Sequence, residues 1–464
     1  MFPRVTRLLC LVIIATVGAC SRAGDAPITQ PSANVVSTRE SAHEHGELRA
    51  AVLRWNALAV TAAPTLSPNG PLAPFVEARL YAITNVSIHD ALNGVRARFH
   101  RYADDGDVNR SANATAAVIA AGYAALTGAT PLPAHAAVQA AFDADIAALR
   151  ADDDASGIDA GIAVGQRAAA AVLARRTNDG TDHGVGPYSP GSSPGDYQFT
   201  FPFNTPGFNF FGTGGFADAT RWGTVVTTFV VRDGKQFRAP RPYGAASNAA
   251  AVRTARYARD FNEIKALGCA DCAARTADQT EIAKFWVENS PTAWNRIART
   301  LTAADHSDAW ETARVLALVQ LAEFDGYTTS LESKYFYNFW RPVTAVGAAD
   351  TDGNPLTSSA PGWQVLVFPS PPVPDYPSAH SVAGGAAASV LSLVLEGARS
   401  FSASSATLPG VTRRFANVGA AAVENANSRV FVGYHFRYAT EVGLAQGAAV
   451  GAYVAFNALR PLHR

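Results

Sequence analysis

Net charge is the first thing this chain lacks. Its 38 basic residues are matched by 38 acidic ones, which argues against a nucleic-acid binder relying on bulk positive charge. Any anion site must therefore be built locally. Lysine is scarce, with four in 464 residues, and so is cysteine, also with four. Cys10 and Cys20 lie near the N-terminus, and the others form Cys269-Ala-Asp-Cys272. No second pair completes a zinc site. The flanks read as a helix end and a new start, where a thioredoxin-type motif needs a strand and then a helix. A small local disulfide in an oxidising compartment is the expectation. Strand-like alternation is also rare, with Val225 to Val231 the one serious candidate.

The N-terminus reads as an export signal. Arg4 and Arg7 precede an apolar run from Leu8 to Val17 that is too short to span a bilayer as a mature helix. Val17-Gly18-Ala19-Cys20 fits a bacterial lipobox, with Cys20 lipidated after cleavage; ordinary secretory cleavage nearby is the alternative. Residues 1–19 are thus expected to be a signal peptide, and 20–47 a polar tether with Pro27 and Pro31. His43-Glu44-His45 lacks the His spacing of a zinc-protease helix and belongs to that tether.

Helical periodicity in Ala-rich text follows, as in Ala116 to Leu126 and Ile162 to Ala174. Residues 177–245 are rich in Gly, Pro and aromatics and predict a structured excursion across the helices. Helical text resumes near Ala246. The expected fold is all-α: an N-terminal helical half with its excursion, 48–245, and a C-terminal half, 246–464, in one continuous unit. Two apparent motifs fail on mechanics. In Gly191-Ser-Ser193-Pro194-Gly195, Pro194 has no N–H for an oxyanion hole. Asp350-Thr-Asp352-Gly-Asn354 lacks the Glu of a calcium loop and reads as a turn.

Three segments of the last third carry chemistry. In Lys334-Tyr-Phe-Tyr-Asn-Phe-Trp-Arg341-Pro342, seven residues of helix would set two cations on one face about 10 Å apart, with Pro342 ending the helix. The aromatic residues between them make that face look buried, and buried cations need partners. In Pro371-Pro-Val-Pro-Asp375-Tyr-Pro377-Ser378-Ala379-His380, the prolines stop any earlier helix. Ser378 to His380 should then open the buried helix that follows, where free N–H groups and the dipole favour an oxyanion. In Ser428-Arg429-Val-Phe-Val-Gly433-Tyr-His435, Gly433 suggests a break that lets Arg429 and His435 face one point. Cations, a hydroxyl, a helix N-terminus and two imidazoles suit in-line chemistry at a tetrahedral oxyanion.

These segments resemble the signature of the vanadium haloperoxidase and type-2 phosphatidic acid phosphatase superfamily: Lys-x6-Arg-Pro, Pro-Ser-Gly-His and Ser-Arg-x5-His-x3-Asp. The text around Trp55-Asn56, Ala78-Arg79, Asp90 to Asn93, Arg275-Thr276, Phe285-Trp286 and Trp294-Asn295 is similar to bacterial haloperoxidase-like proteins. The resemblance implies a multi-helix bundle of the vanadium haloperoxidase type. It implies vanadate bonded to His435, and Lys334, Arg341, Ser378, Ala379 and Arg429 around its oxygens. His380 would be the acid–base group. Hydrogen peroxide and halide would be the substrates, with an organic acceptor beyond them.

Two positions depart from the signature. Its Gly is Ala379, and its final Asp, which orients the nucleophilic His of the phosphatases, is Ala439. That absence weakens the phosphatase reading and leaves His435 to a backbone carbonyl, Thr440 or Glu441. Val373 lies near a position tied to halide choice in the family, but an apolar side chain names no halide. Three functions stay open: a vanadate-dependent haloperoxidase, a metal-free phosphatase working through a phosphohistidine, and an exported lipoprotein that only binds anions. Membrane contact is expected only through the lipid anchor, and oligomeric state is left open.

Overall fold

The computed structural model describes residues 34–63, 72–129, 135–152, 155–184, 186–205, 219–305, 307–395 and 400–462. The expected signal peptide and Cys20 lie outside these residues. Contacts divide the chain into a short unit ending at Glu44 and a body from His45 to Arg464. The body joins both expected helical halves in one compact unit.

The first helices are α1 (Asn34–Ala62), α2 (Pro74–Val95), α3 (Ala114–Ala129), α4 (His135–Arg150) and α5 (Ile158–Arg176). Short helices α6 (Trp222–Val225) and α7 (Asn248–Ala251) lead to α8 (Ala255–Leu267), α9 (Ala277–Phe285) and α10 (Ser290–Ala304). Then come α11 (Ala309–Tyr337), α12 (Pro342–Ala348), α13 (Ala379–Val394), α14 (Val418–Phe431) and α15 (Arg437–Asn457). The all-α expectation holds. Residues 34–47 of the expected tether lie in α1. Neither Pro nor Gly occurs between Asn34 and His45, so nothing there stops a helix. No described helix is long and apolar enough to cross a membrane.

α11 is the axis of the body. A capping box starts it: Asp308 accepts from the Trp310 and Glu311 amides, and Glu311 reaches back to the Asp308 amide. Almost every residue from Ala309 to Lys334 is buried, the signature of a helix enclosed on all sides. Helices α2, α10, α13 and α15 pack around it.

The expected strand at Val225 to Val231 is absent. Its first residue ends α6, and its last amides have a different partner. Buried Asp325 of α11 accepts from the amides of Phe229 (2.7 Å), Val230 (2.8 Å) and Val231 (2.9 Å). One carboxylate does for this loop what a neighbouring strand would do. Arg176 grips the same loop through the carbonyls of Thr227 and Thr228. The described part of the excursion therefore lies across the helices, as expected. The only described sheet is a hairpin of β1 (Phe401–Ser404) and β2 (Thr412–Phe415), which the sequence reading missed. Its strands are four residues long, too short for a clear alternation signal.

Asp325 yields a test. Asp325→Ala leaves three amides, two of them on buried residues, without an acceptor and should lower stability by about 3 kcal/mol. Calorimetry should show the loss, and proteolysis should quicken within residues 219–245. Unchanged protection there would show that the carboxylate does not hold the loop.

Candidate active site

Side chains from the three segments approach one another in the interior, and each of the six expected residues is placed by a local rule. Lys334 sits in the last turn of α11. The helix then stops, because Asn338 takes a left-handed conformation (φ 50°). The expectation of one helix carrying both cations is corrected here. Arg341 follows an extended link and precedes Pro342, which opens α12 rather than closing α11. The chain turn, not helical periodicity, brings the guanidinium back.

Both cations are held by one segment. Lys334 Nζ donates to the carbonyls of Pro374 (2.6 Å) and Asp375 (2.9 Å). Arg341 Nε donates to the Val373 carbonyl (2.6 Å) and Nη1 to that of Tyr434 (2.9 Å). Ser378 caps α13, as expected, and accepts from the Ser381 amide and hydroxyl. Its own amide donates to the Ala439 carbonyl of α15 (3.0 Å). A Cβ at Gly443 would lie 2.7 Å from the Ser378 carbonyl oxygen, so glycine is what permits this approach.

Arg429 ends α14, and Gly433 (φ 87°) reverses the chain so that His435 returns beside it. The amides of Tyr434 and His435 both donate to the Arg429 carbonyl. This break is as expected. It is buttressed by a loop that the disulfide Cys269–Cys272 closes. The Leu366 amide donates to the carbonyls of Gly268 and Val432, joining the two loops. A Cβ at Gly433 would run into the Gly268 carbonyl.

The residue missed in the sequence is Asp375. Fully buried, it lies 2.9 Å from His435 Nδ1 through Oδ1. Arg341 Nη1 lies 3.1 Å from His435 Nε2. A guanidinium can only donate, so Nε2 accepts, Nδ1 carries the proton, and Asp375 accepts that proton. The expectation that Thr440, Glu441 or a backbone carbonyl serves His435 is thereby corrected. Thr440 bonds the Arg437 carbonyl, and Glu441 pairs with Arg256. The available signal was a lone carboxylate inside an apolar Pro-rich run, three residues before Ser378. Trp286 was undervalued as well. Its carbonyl accepts from Arg429 Nη1 (2.9 Å) and steadies the ring of His380.

Electrostatics mark the cluster as incomplete. Burial, then the neighbouring Arg341, hold Lys334 well below its usual range. Burial pulls Arg429 down to about 10, with Arg341 adding to it. His435 is pushed well below the usual imidazole range by burial, then by Arg341, Lys334 and Arg429. Burial lifts Asp375 to about 7 against the pull of Arg341 and Lys334. Of the three buried cations, Lys334 and Arg341 thus face the carboxyl group of Asp375, and Arg429 does not. Arg429 Nε, His380 Nε2 and Asp375 Oδ2 have no partner among the described residues. Buried unpaired charge is unfavourable, and an oxyanion is the ligand that the guanidinium and ammonium groups would fit. Ala379 and His380 are the partly exposed members of the group.

The described residues thus form a helical bundle that encloses a cationic cluster with two histidines. Within it, residues 314–463 match the family described as the VCPO second helical-bundle domain. Vanadium chloroperoxidase of Curvularia inaequalis is 41% identical over 80 residues. That segment is 16% of this chain and only 13% of the relative. The crystal structure of the first bacterial vanadium-dependent iodoperoxidase superposes with TM-score 0.72 at 21% identity, covering 89% of this chain and 97% of that one. A holo-type bacterial vanadium-dependent chloroperoxidase superposes at TM-score 0.63 and 17% identity, covering 85% and 93%. At such identities the superpositions establish the fold. The matched domain in residues 314–463 and the whole-chain superpositions together make the fold that of the vanadium haloperoxidases.

Gly433 tests how the site is built. Gly433→Ala forces a left-handed non-glycine residue, costing about 1–3 kcal/mol, and drives a methyl into the Gly268 carbonyl. Orthophosphate binding by calorimetry should weaken along with stability. Wild-type phosphate affinity in the variant would show that this turn does not set the position of His435.

Proposed function

We propose that this chain is a vanadate-dependent haloperoxidase, which uses hydrogen peroxide to oxidise halide to hypohalous acid. The observation that carries the reading is the set at His435: Nδ1 tied to Asp375, and an Nε2 lone pair turned toward buried cations. An imidazole in that tautomer is a metal ligand whose orientation is already set. Lys334, Arg341 and Arg429 would balance the charge on the oxygens of vanadate, with the Ser378 hydroxyl and the Ala379 amide as further donors. Once bound, vanadate supplies a Lewis acid that polarises the peroxide O–O bond. His380, with Nε2 unpartnered and its pKa held low by burial and Arg429, is suited to take and return a proton.

A specific observation favours a second reading, a metal-free phosphatase. Asp375 supplies the orienting carboxylate that Ala439 had seemed to remove, so the sequence argument against a phosphohistidine at His435 falls. In that chemistry His380 would protonate the leaving group. Assay of the full chain for vanadate-dependent halide oxidation, and for phosphate-ester hydrolysis without vanadate, separates the two. Brisk ester hydrolysis without halide oxidation would reverse their order.

Three variants probe the roles. His435→Ala should abolish vanadate binding. His380→Ala should keep it while slowing halide oxidation on the order of 10²–10⁴-fold. Asp375→Asn should split two anions. Orthophosphate should bind tighter, because a negative charge beside the cations is gone. Vanadate should bind roughly 10–100-fold weaker, because the ligand loses its oriented tautomer. Parallel changes for both anions would mean that His435 forms no bond to vanadate.

Export belongs to the same proposal, with residues 1–19 as signal and Cys20 as the lipid attachment site in the bacterial envelope. Cys20→Ala should abolish metabolic lipid labelling and release the protein from membranes. Membrane retention of an unlabelled wild type would rule out the anchor.

A further inference from the structure

The interior beside the site holds polar atoms that the anion chemistry does not use. α11 carries Gln320, Glu323, Tyr327, Ser330 and Lys334 at intervals of three and four residues, which is one face of a helix. The stripe extends about 20 Å from the site, and all five residues are buried. Gln320 Oε1, Glu323 Oε1 and the Ser330 hydroxyl have no partner among the described residues, and the Tyr327 hydroxyl faces that of Ser290 on α10.

The surrounding helices present atoms of the same kind. On α10 it is Trp294 Nε1, on α14 both amide atoms of Asn425, and on α13 His380 Nε2. α10 and α13 pack against α11, and α14 packs against α13. A Cβ at Gly384, one turn beyond His380, would lie 3.2 Å from Trp294 Nε1 and 3.4 Å from Asn425 Cγ. Those two polar groups therefore line α13 directly behind His380. Tyr327 stands between the two ends. Burial pushes its phenol up, Glu323 and Glu77 push the same way, and Arg429 pulls back.

The far end is acidic and reaches the surface. Glu323 accepts from Gln320 Nε2 at 3.1 Å. Glu77 of α2 accepts from the Thr292 hydroxyl at 3.2 Å, and Thr292 is partly exposed. Neither acid forms an ion pair among the described residues. Burial lifts Glu77 to about 7 and Glu323 well above the carboxylate range, so burial favours the protonated form of both. Unpartnered polar atoms are costly in a dry core. A polar space offering two to four partners is where buried water resides.

We propose that these polar groups form a hydrated proton conduit, running from Glu77 and Thr292 at the surface through Glu323 and Tyr327 to His380. It rests on the haloperoxidase reading for its purpose. Halide oxidation follows X⁻ + H₂O₂ + H⁺ → HOX + H₂O. The halide gives up two electrons, the O–O bond breaks and accepts them, and one proton must arrive per turnover. Glu323 passes its proton through water and Tyr327 to His380, and Glu77 restores it.

The test uses the full-length protein. A high-resolution crystal structure should show ordered waters bridging Glu323, Tyr327 and Ser290; a dry interior there overturns the conduit. The infrared spectrum should contain a protonated-carboxyl band that Glu323→Gln removes, and an unchanged band overturns Glu323 as the carrier. With vanadate loaded, Glu323→Gln and Tyr327→Phe should each lower kcat roughly tenfold and raise its solvent deuterium isotope effect, leaving halide KM and vanadate affinity unchanged. Unchanged kcat, or a fall with an unchanged isotope effect, overturns the relay. A wild type that oxidises no halide defeats the haloperoxidase reading instead, and the water and infrared measurements then decide the conduit alone.

Discussion

The hydrogen bond between Asp375 and His435 is the contact around which the candidate site is arranged. It decides which imidazole nitrogen keeps a lone pair, and so where a ligand or an electrophile can meet the ring. The segment that carries Asp375 does more than supply the carboxylate. Carbonyls of Val373, Pro374 and Asp375 hold Arg341 and Lys334, and three residues later Ser378 opens α13. One extended stretch thus fixes two cations, one histidine and one helix N-terminus. Its prolines make that economical, since they limit the conformations the stretch must give up on folding.

A rigid scaffold has to resist what this arrangement costs. Gathering three cations in a buried space is unfavourable until an anion enters. α11 supplies the resistance through burial on all sides, with Asp325 holding down the crossing loop along its length. The disulfide loop and the Gly433 turn brace the other wall. Ligand binding should in turn stabilise the fold, because the native state alone offers this charge arrangement.

Much of this was legible in the sequence, and the failures have physical causes. The Pro run, Ser378 and the small-residue stretch correctly announced a helix N-terminus, because Pro and a Ser cap act locally. Gly433 announced its turn for the same reason. The Lys334–Arg341 spacing was read as continuous helix, since local propensity gives no sign that Asn338 would adopt a left-handed cap. Val225 to Val231 looked like a strand because β-branched residues suit extended backbone. The partner for its amides lies on α11, nearly a hundred residues away, beyond the reach of pattern. Asp375 was overlooked on similar grounds. Its role depends on a contact sixty residues along the chain, and an expectation fixed on position 439 drew attention elsewhere.

Asp375 also bears on whether the cluster only binds or also reacts. A site selected solely to hold an anion gains nothing from a carboxylate behind its histidine. Held one imidazole away, about 7 Å, that charge would oppose a bound anion by roughly 2 kcal/mol at an effective dielectric near 20. A histidine that forms a bond to the ligand does gain, because the carboxylate fixes its tautomer and strengthens its lone pair. Lys334, Arg341 and Arg429 alone would make the tighter trap. Asp375, unpaired on Oδ2 and buried beside Lys334 and Arg341, therefore fits the proposed reacting His435 better than a passive anion receptor.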